Sequence, residues 1–172
     1  SELGIPHGAA EHAWEQLTAS YATLERPYHN LSHVQQALLA LDQLGPTGDS
    51  RWAAELALWF HDAVYDAARD DNEERSASLF ESVTSEWPLS ADMRRRVVTA
   101  ILATRHTQPQ NDDWAALVVD ADLSILAAPH EEYDRCATAI RAEYAHVPDE
   151  AFNAGRTAFL LKMAGNPFIY SS

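Results

Sequence analysis

One cysteine, Cys136, stands among 172 residues. No disulfide can close within the chain, and the composition suits a reducing compartment. Lysine is nearly missing too: Lys162 is the only one, against eleven arginines, a ratio that by itself points to no function. Cationic side chains number 12 against 26 acidic ones, for a formal net charge of −14. A surface of that sign repels a phosphate backbone, so a nucleic-acid polymer is an unsuitable partner. Charges interrupt the apolar runs every few residues, and nothing approaches the roughly 20 residues needed to span a bilayer. The opening residues, Ser1-Glu2-Leu3-Gly4, have neither the basic nor the apolar region of a signal peptide. The expectation is a cytoplasmic chain without membrane association.

Apolar residues are plentiful, at 47%, enough for one sizeable core and one domain over residues 1–172. Their spacing is helical. Leu38, Leu41 and Leu44 fall on one side of a helix, as do Leu56, Trp59 and Phe60, and Val97, Ile101 and Leu102. Breaks occur at Glu25-Arg26-Pro27, Gly45-Pro46-Thr47-Gly48 and Pro88-Leu89-Ser90. Asp71 and Glu74 are spaced as a capping box, and Ser90 suits an N-cap. Pro129 and Pro148 suit first helical positions, each followed by acidic residues. Together these signals predict an all-α, single-domain bundle of about eight helices, over 8–24, 30–44, 49–65, 71–87, 90–105, 112–127, 130–145 and 148–165. No segment alternates as a strand, and no repeat, linker or low-complexity tract interrupts the chain.

Three segments set ligand-type residues beside strongly apolar ones: Tyr28-His29-Asn30-Leu31-Ser32-His33, Trp59-Phe60-His61-Asp62 and Asp120-Ala121-Asp122-Leu123. Burying a carboxylate or an unpaired imidazole is costly, and a shared cation removes that cost. With Asn30 as N-cap, His33 lies in the first turn of a helix and faces a metal, while His29 reaches toward substrate from the loop before it. His61 and Asp62 are adjacent, about 100° apart on a helix, so both lean toward one ion. Asp122 closes the set from a later helix. Four ligands from three helices leave coordination positions open for water and substrate, as a catalytic site requires. A lone histidine is usually a surface or satisfied core residue, and His7, His12, His130 and His146 are read that way. The ordered set of His33, then His-Asp 28 residues on, then an aspartate a further 60 residues beyond Asp62 is a much more specific signal.

That order resembles the HD superfamily of metal-dependent phosphohydrolases. The similarity covers roughly residues 21–170 and extends to Ala63-Val64-Tyr65-Asp66 after the His-Asp pair, Asp71-Asn72-Glu73, Thr104-Arg105-His106-Thr107, and Ser124-Ile125-Leu126 after Asp122. It is closest to a bacterial group of HD phosphohydrolases. The resemblance implies an HD-domain-like bundle, one tightly held divalent ion with a weaker second one compatible, and a small phosphorylated metabolite or nucleotide as substrate; a bound cation reverses the local field of an acidic protein. Mn, Co, Ni, Fe, Zn and Mg all suit the donors. The pattern does not speak to oligomeric state.

Tyr28-His29-Asn30 followed by His33 is also similar to the opening motif of cyclic-nucleotide phosphodiesterases, in which the first histidine protonates the leaving oxygen and the second binds metal. Here Tyr65 stands where that family has a histidine nearby, which speaks against its two-metal site and against cyclic nucleotides.

The implied mechanism is hydrolysis by a metal-activated water, which Asp62 or Asp122 orients while binding the ion. His29 either donates a proton to the leaving oxygen or pairs with a carboxylate at the helix start. Asp66 is a candidate to orient a ligating histidine. Glu73 either accepts from a metal-bound water or a sugar hydroxyl, or serves the dipole of its helix. His106 binds phosphate, completes a second metal site, or interacts with a helix C-terminus. Arg75 and Arg105 are the candidate phosphate contacts, with Arg156 and Lys162 behind them. Two other functions fit less well. A di-iron oxygenase needs more histidines between Asp62 and Asp122 than His106 alone. A non-catalytic metal- or nucleotide-binding sensor has no need of His29 beside the ligands.

Overall fold

The computed structural model describes residues 3–107, 112–165 and 170. Within them the chain is an all-α bundle of eight helices with no strand: α1 His7–Tyr21, α2 Leu31–Leu44, α3 Gly48–Phe60, α4 Asn72–Val83, α5 Ala91–Ala103, α6 Asp113–Asp122, α7 His130–Glu143 and α8 Asp149–Gly165, with a 3-10 segment, Leu123–Ala127, after α6. No helix among the described residues is long and apolar enough to cross a membrane.

The core forms around α3. It carries Ala53, Ala54, Ala57, Leu58 and Phe60, all buried, and packs against α2, α4, α5 and α6. Its alanines let neighbouring backbones come close, while Phe60 meets Phe80 of α4 edge-on at 5.3 Å. Burying side chains the size of Leu58, Phe60 or Phe80 stabilises the fold by about 1.5–3 kcal/mol each. The stripe on α2 is His33, Val34, Ala37 and Leu41 rather than the leucines alone; Leu44 is exposed.

Local signals account for several ends. Asn30 caps α2, accepting from the Ser32 N–H at 2.8 Å, and Ser90 caps α5, accepting from the Met93 N–H at 3.1 Å. Gly45 ends α2 at φ 71°, the left-handed geometry that glycine adopts without strain. Other ends differ from expectation. The Asp71–Glu74 capping box does not form; the Asp71 carboxylate instead takes two bonds from Arg69, at 2.6 and 2.7 Å. Pro129 sits one position before the first helical residue, His130.

The largest departure is at α3, which stops at Phe60 rather than running to 65. Beyond it, side chains from elsewhere take over the main-chain bonds that a helix would satisfy internally. The guanidinium of Arg26 donates to the carbonyls of Asp62 (2.8 Å), Ala63 (3.4 Å) and Tyr65 (3.3 Å). The Ser76 hydroxyl bonds both the N–H and the carbonyl of Val64, and the Asn72 amide does the same for Asp66. Arg94 acts similarly beyond α4, donating to the carbonyls of Thr84, Ser85 and Trp87. That helix therefore ends at Val83 rather than 87.

Candidate metal centre

The Nε2 atoms of His33 and His61 face each other at 3.2 Å. A carboxylate oxygen of Asp62 lies 3.1 Å from His61 and 3.6 Å from His33. One of Asp122 lies 3.0 Å from His33 and 3.6 Å from His61. The elements produce this convergence directly. His33 is in the first turn of α2, His61 is the residue that closes α3, Asp62 opens the riveted turn after it, and Asp122 is the last residue of α6. Both imidazoles are buried.

Hydrogen bonding fixes which face His61 turns to the others. His61 donates from Nδ1 to the Leu58 carbonyl at 2.9 Å. A carbonyl only accepts, so Nδ1 holds the proton and the neutral ring turns the Nε2 lone pair toward His33 and the carboxylates. Bonds of about 2.0–2.2 Å to a single ion place neighbouring donors about 3.0–3.5 Å apart, close to the separations found. His33, His61 and Asp62 form a buried cluster able to coordinate one divalent cation, and Asp122 stands within reach of the same position. In the ion's absence protons are drawn in instead. Burial opposes a charge on His61, but the adjoining Asp62 and Asp122 outweigh it and raise its pKa well above the ordinary value. Burial likewise works against ionisation of both carboxylates, yet His61 beside Asp62, and the bonds of Asp122 with His106, His33 and His61, hold them low. The cluster favours positive charge in either form.

Beside it opens a cavity of about 580 Å³ whose wall includes His29, His61, Asp62, Glu73, Arg105, His106 and Asp122. His29 stacks on Tyr65 with ring centroids 4.1 Å apart, and its Nδ1 donates to Glu143 Oε2 at 2.5 Å. The second oxygen of Glu143 accepts from the main-chain N–H groups of Tyr28 (2.8 Å) and His29 (2.9 Å). Burial disfavours a charged His29, but Asp62 and the bond to Glu143 prevail and raise its pKa. Burial pushes Glu143 up, and its bond to His29 more than reverses that.

Glu143 was not anticipated. Its one sequence hint is an acid in the last turn of a helix, where the dipole opposes negative charge. Arg26 carried no hint beyond its place at a chain break.

The remaining candidates divide. His106 joins the centre through Asp122, 3.0 Å from Nε2 to the carboxylate. It has φ 54°, a left-handed backbone unusual outside glycine, and its carbonyl accepts from Lys162 at 2.6 Å. Glu73 is half-buried on the cavity wall, its carboxyl raised chiefly by burial. Arg105 also lines the wall, but its guanidinium donates to the Glu74 carboxylate and the Asp70 carbonyl. Asp66 is exposed, its carboxylate accepting from the Ala68 N–H at 2.9 Å to build its own turn. Arg75 is exposed on α4, and neither Asp66 nor Arg75 is among the residues lining the cavity. His7, His12, His130 and His146 are all exposed.

Comparison with family models, with curated proteins and with solved structures returned no match.

Proposed function

We propose that the protein is a metal-dependent phosphohydrolase with an HD-type site. His33, His61, Asp62 and Asp122 would hold the ion, and His29, backed by Glu143, would act as the acid for the leaving group. The observation that carries this reading is the combination of four convergent donors with a separate, carboxylate-backed histidine on the wall of the same cavity. A divalent ion in this position supplies a nucleophilic water at neutral pH and withdraws charge from a phosphoryl oxygen.

The chain's own residues do the rest. His61 is locked by the Leu58 carbonyl, and Arg26 holds the turn bearing Asp62, so both donors are set before substrate enters. Glu143 keeps the Nδ1 proton of His29 occupied, which leaves Nε2 to give its proton to the departing oxygen. Stacking on Tyr65 holds the ring in that orientation. His106 fixes the second oxygen of Asp122, and Glu73 stands on the cavity wall, where it would accept from a metal-bound water or a sugar hydroxyl.

The test is turnover of a panel of phosphate esters by protein stripped and then reloaded with Mn²⁺, Co²⁺, Ni²⁺ or Mg²⁺. Hydrolysis that returns with one of the ions supports the reading. Tight metal binding without turnover of any ester would end it and leave a binding protein.

A further inference from the structure

One face of α8 walls the same cavity. Phe152, Gly155, Arg156 and Phe159 all line it, at spacings of three, one and three residues that bring them to the same side of a helix. Gly155 is the unexpected member. Glycine weakens a helix interior relative to alanine, and nothing in the fold requires it here. Its backbone is not left-handed, and a Cβ built on it meets nothing within 4 Å. Gly8 has as much space but sits in the first turn of α1 and is not part of this wall.

Arg156 is unusual in a second way. Of the three arginines lining the cavity, Arg69 is paired with Asp71 and Arg105 with Glu74. Arg156 has no acidic partner among the described residues of a strongly acidic protein; its guanidinium lies over the Phe159 ring, 5.4 Å from the centroid. Arg156 thus lines the cavity as a half-buried guanidinium set against an aromatic ring, a group suited to stacking on a second flat ring. Leu126, Ile140 and Val147 contribute apolar surface to the same cavity.

Resting on the phosphohydrolase reading, we propose that this face of α8 receives a flat aromatic ring carried by the substrate. The ring lies over Gly155, bordered by Phe152 and Phe159 and faced by Arg156, while the phosphate reaches the metal end. The substrate class is then an aryl-bearing phosphate ester, with a nucleobase or another arene as the ring. Missing bulk at Gly155 is a specificity device: a side chain there occupies the space of the ring and leaves the donors untouched.

The experiment compares kcat/KM for 1-naphthyl phosphate with that for methyl phosphate, and for adenosine 5′-monophosphate with that for ribose 5-phosphate, in wild type, Gly155→Ala and Gly155→Leu. In Gly155→Leu the first ratio should fall roughly ten- to a hundredfold, the range over which a filled pocket discriminates, with a smaller fall in Gly155→Ala. Melting temperatures of both variants should equal or exceed wild type, because each removes a helix-interior glycine. A parallel fall in the second ratio identifies the ring as a nucleobase; a fall in the first alone identifies a non-nucleotide arene. Both ratios unchanged in a folded variant overturns the proposal. Should Gly155→Leu not fold, Arg156→Gln replaces it with the same expected direction. If wild type hydrolyses no ester, the phosphohydrolase reading has failed, and calorimetry with 1-naphthylphosphonate on the metal-loaded protein still decides the ring site. Binding at least tenfold weaker in Gly155→Leu supports it, and equal binding removes it.

Discussion

Two groups of buried polar residues stand side by side in this molecule, and they are opposites in how they are satisfied. At the metal centre, two imidazole nitrogens point at each other at 3.2 Å with carboxylates around them, an arrangement that needs a positive charge from outside the side-chain set. The His29–Glu143 pair is closed: one donor, one carboxylate, and two main-chain N–H groups on the remaining oxygen. The open cluster can take up a cation or a proton, whereas the closed pair answers to pH alone.

The sharpest way to break the comparison is to remove a shared donor. Asp62→Ala should abolish metal binding by elemental analysis, and activity with it, rather than slow turnover. Full occupancy in that variant would dissolve the proposed ligand set. Chelation of the wild-type protein should lower its melting temperature, since an ion at 100 times its dissociation constant stabilises the fold by about 2.7 kcal/mol. Chelation of His29→Ala should lower its melting temperature to the same extent.

Next in size is His29→Ala. It should keep its metal and lose roughly 10²–10⁴-fold in rate, with a small loss for a nitrophenyl ester and a large one for alkyl or ribosyl phosphates, whose leaving oxygens need a proton. His33→Ala should damage both substrate types equally. Equal losses in His29→Ala with metal retained would leave His29 a positioning role only.

The smallest effect is expected at Glu143→Gln, read as stability against pH in metal-free protein. His29 has a raised pKa, so its contribution is fully present below the ordinary value of 6.5 and is lost as pH rises through the folded value. Glu143 has a lowered pKa, so its contribution is present above 4.5 and is lost as pH falls through the folded value. The gap in melting temperature between wild type and Glu143→Gln should therefore be widest between those two ordinary values and narrow on both sides. A gap independent of pH would mean the pair is held by shape rather than charge.

What was legible in the sequence follows the same division. His33, His61 and Asp62 declared themselves because each is a polar residue set in a run of apolar ones, a local contradiction visible without coordinates. The number and type of helices were legible for the matching reason, since periodicity is local. Glu143 was not, because the residue it completes lies 114 positions away and its own surroundings on α7 look like any amphipathic helix. The ends of α3 and α4 were hidden because they are set by Arg26, Ser76, Asn72 and Arg94, side chains reaching across from other segments. Arg75 and Asp66 looked suitable by residue type, and only their outward placement separates them from the cavity wall.

Arg26 also bears on how metal affinity responds to damage elsewhere. Its three bonds cross 36 to 39 residues of chain and hold the turn that presents Asp62. The apparent dissociation constant is the intrinsic value divided by the fraction of molecules in the binding-competent arrangement. A cavity made in the core on another helix, at Met93 of α5 for example, should leave affinity constant until global unfolding begins, while Arg26→Ala should weaken it in protein that is still folded. Metal titration would then distinguish a loosened turn from a loosened fold, with one arginine serving as the gauge.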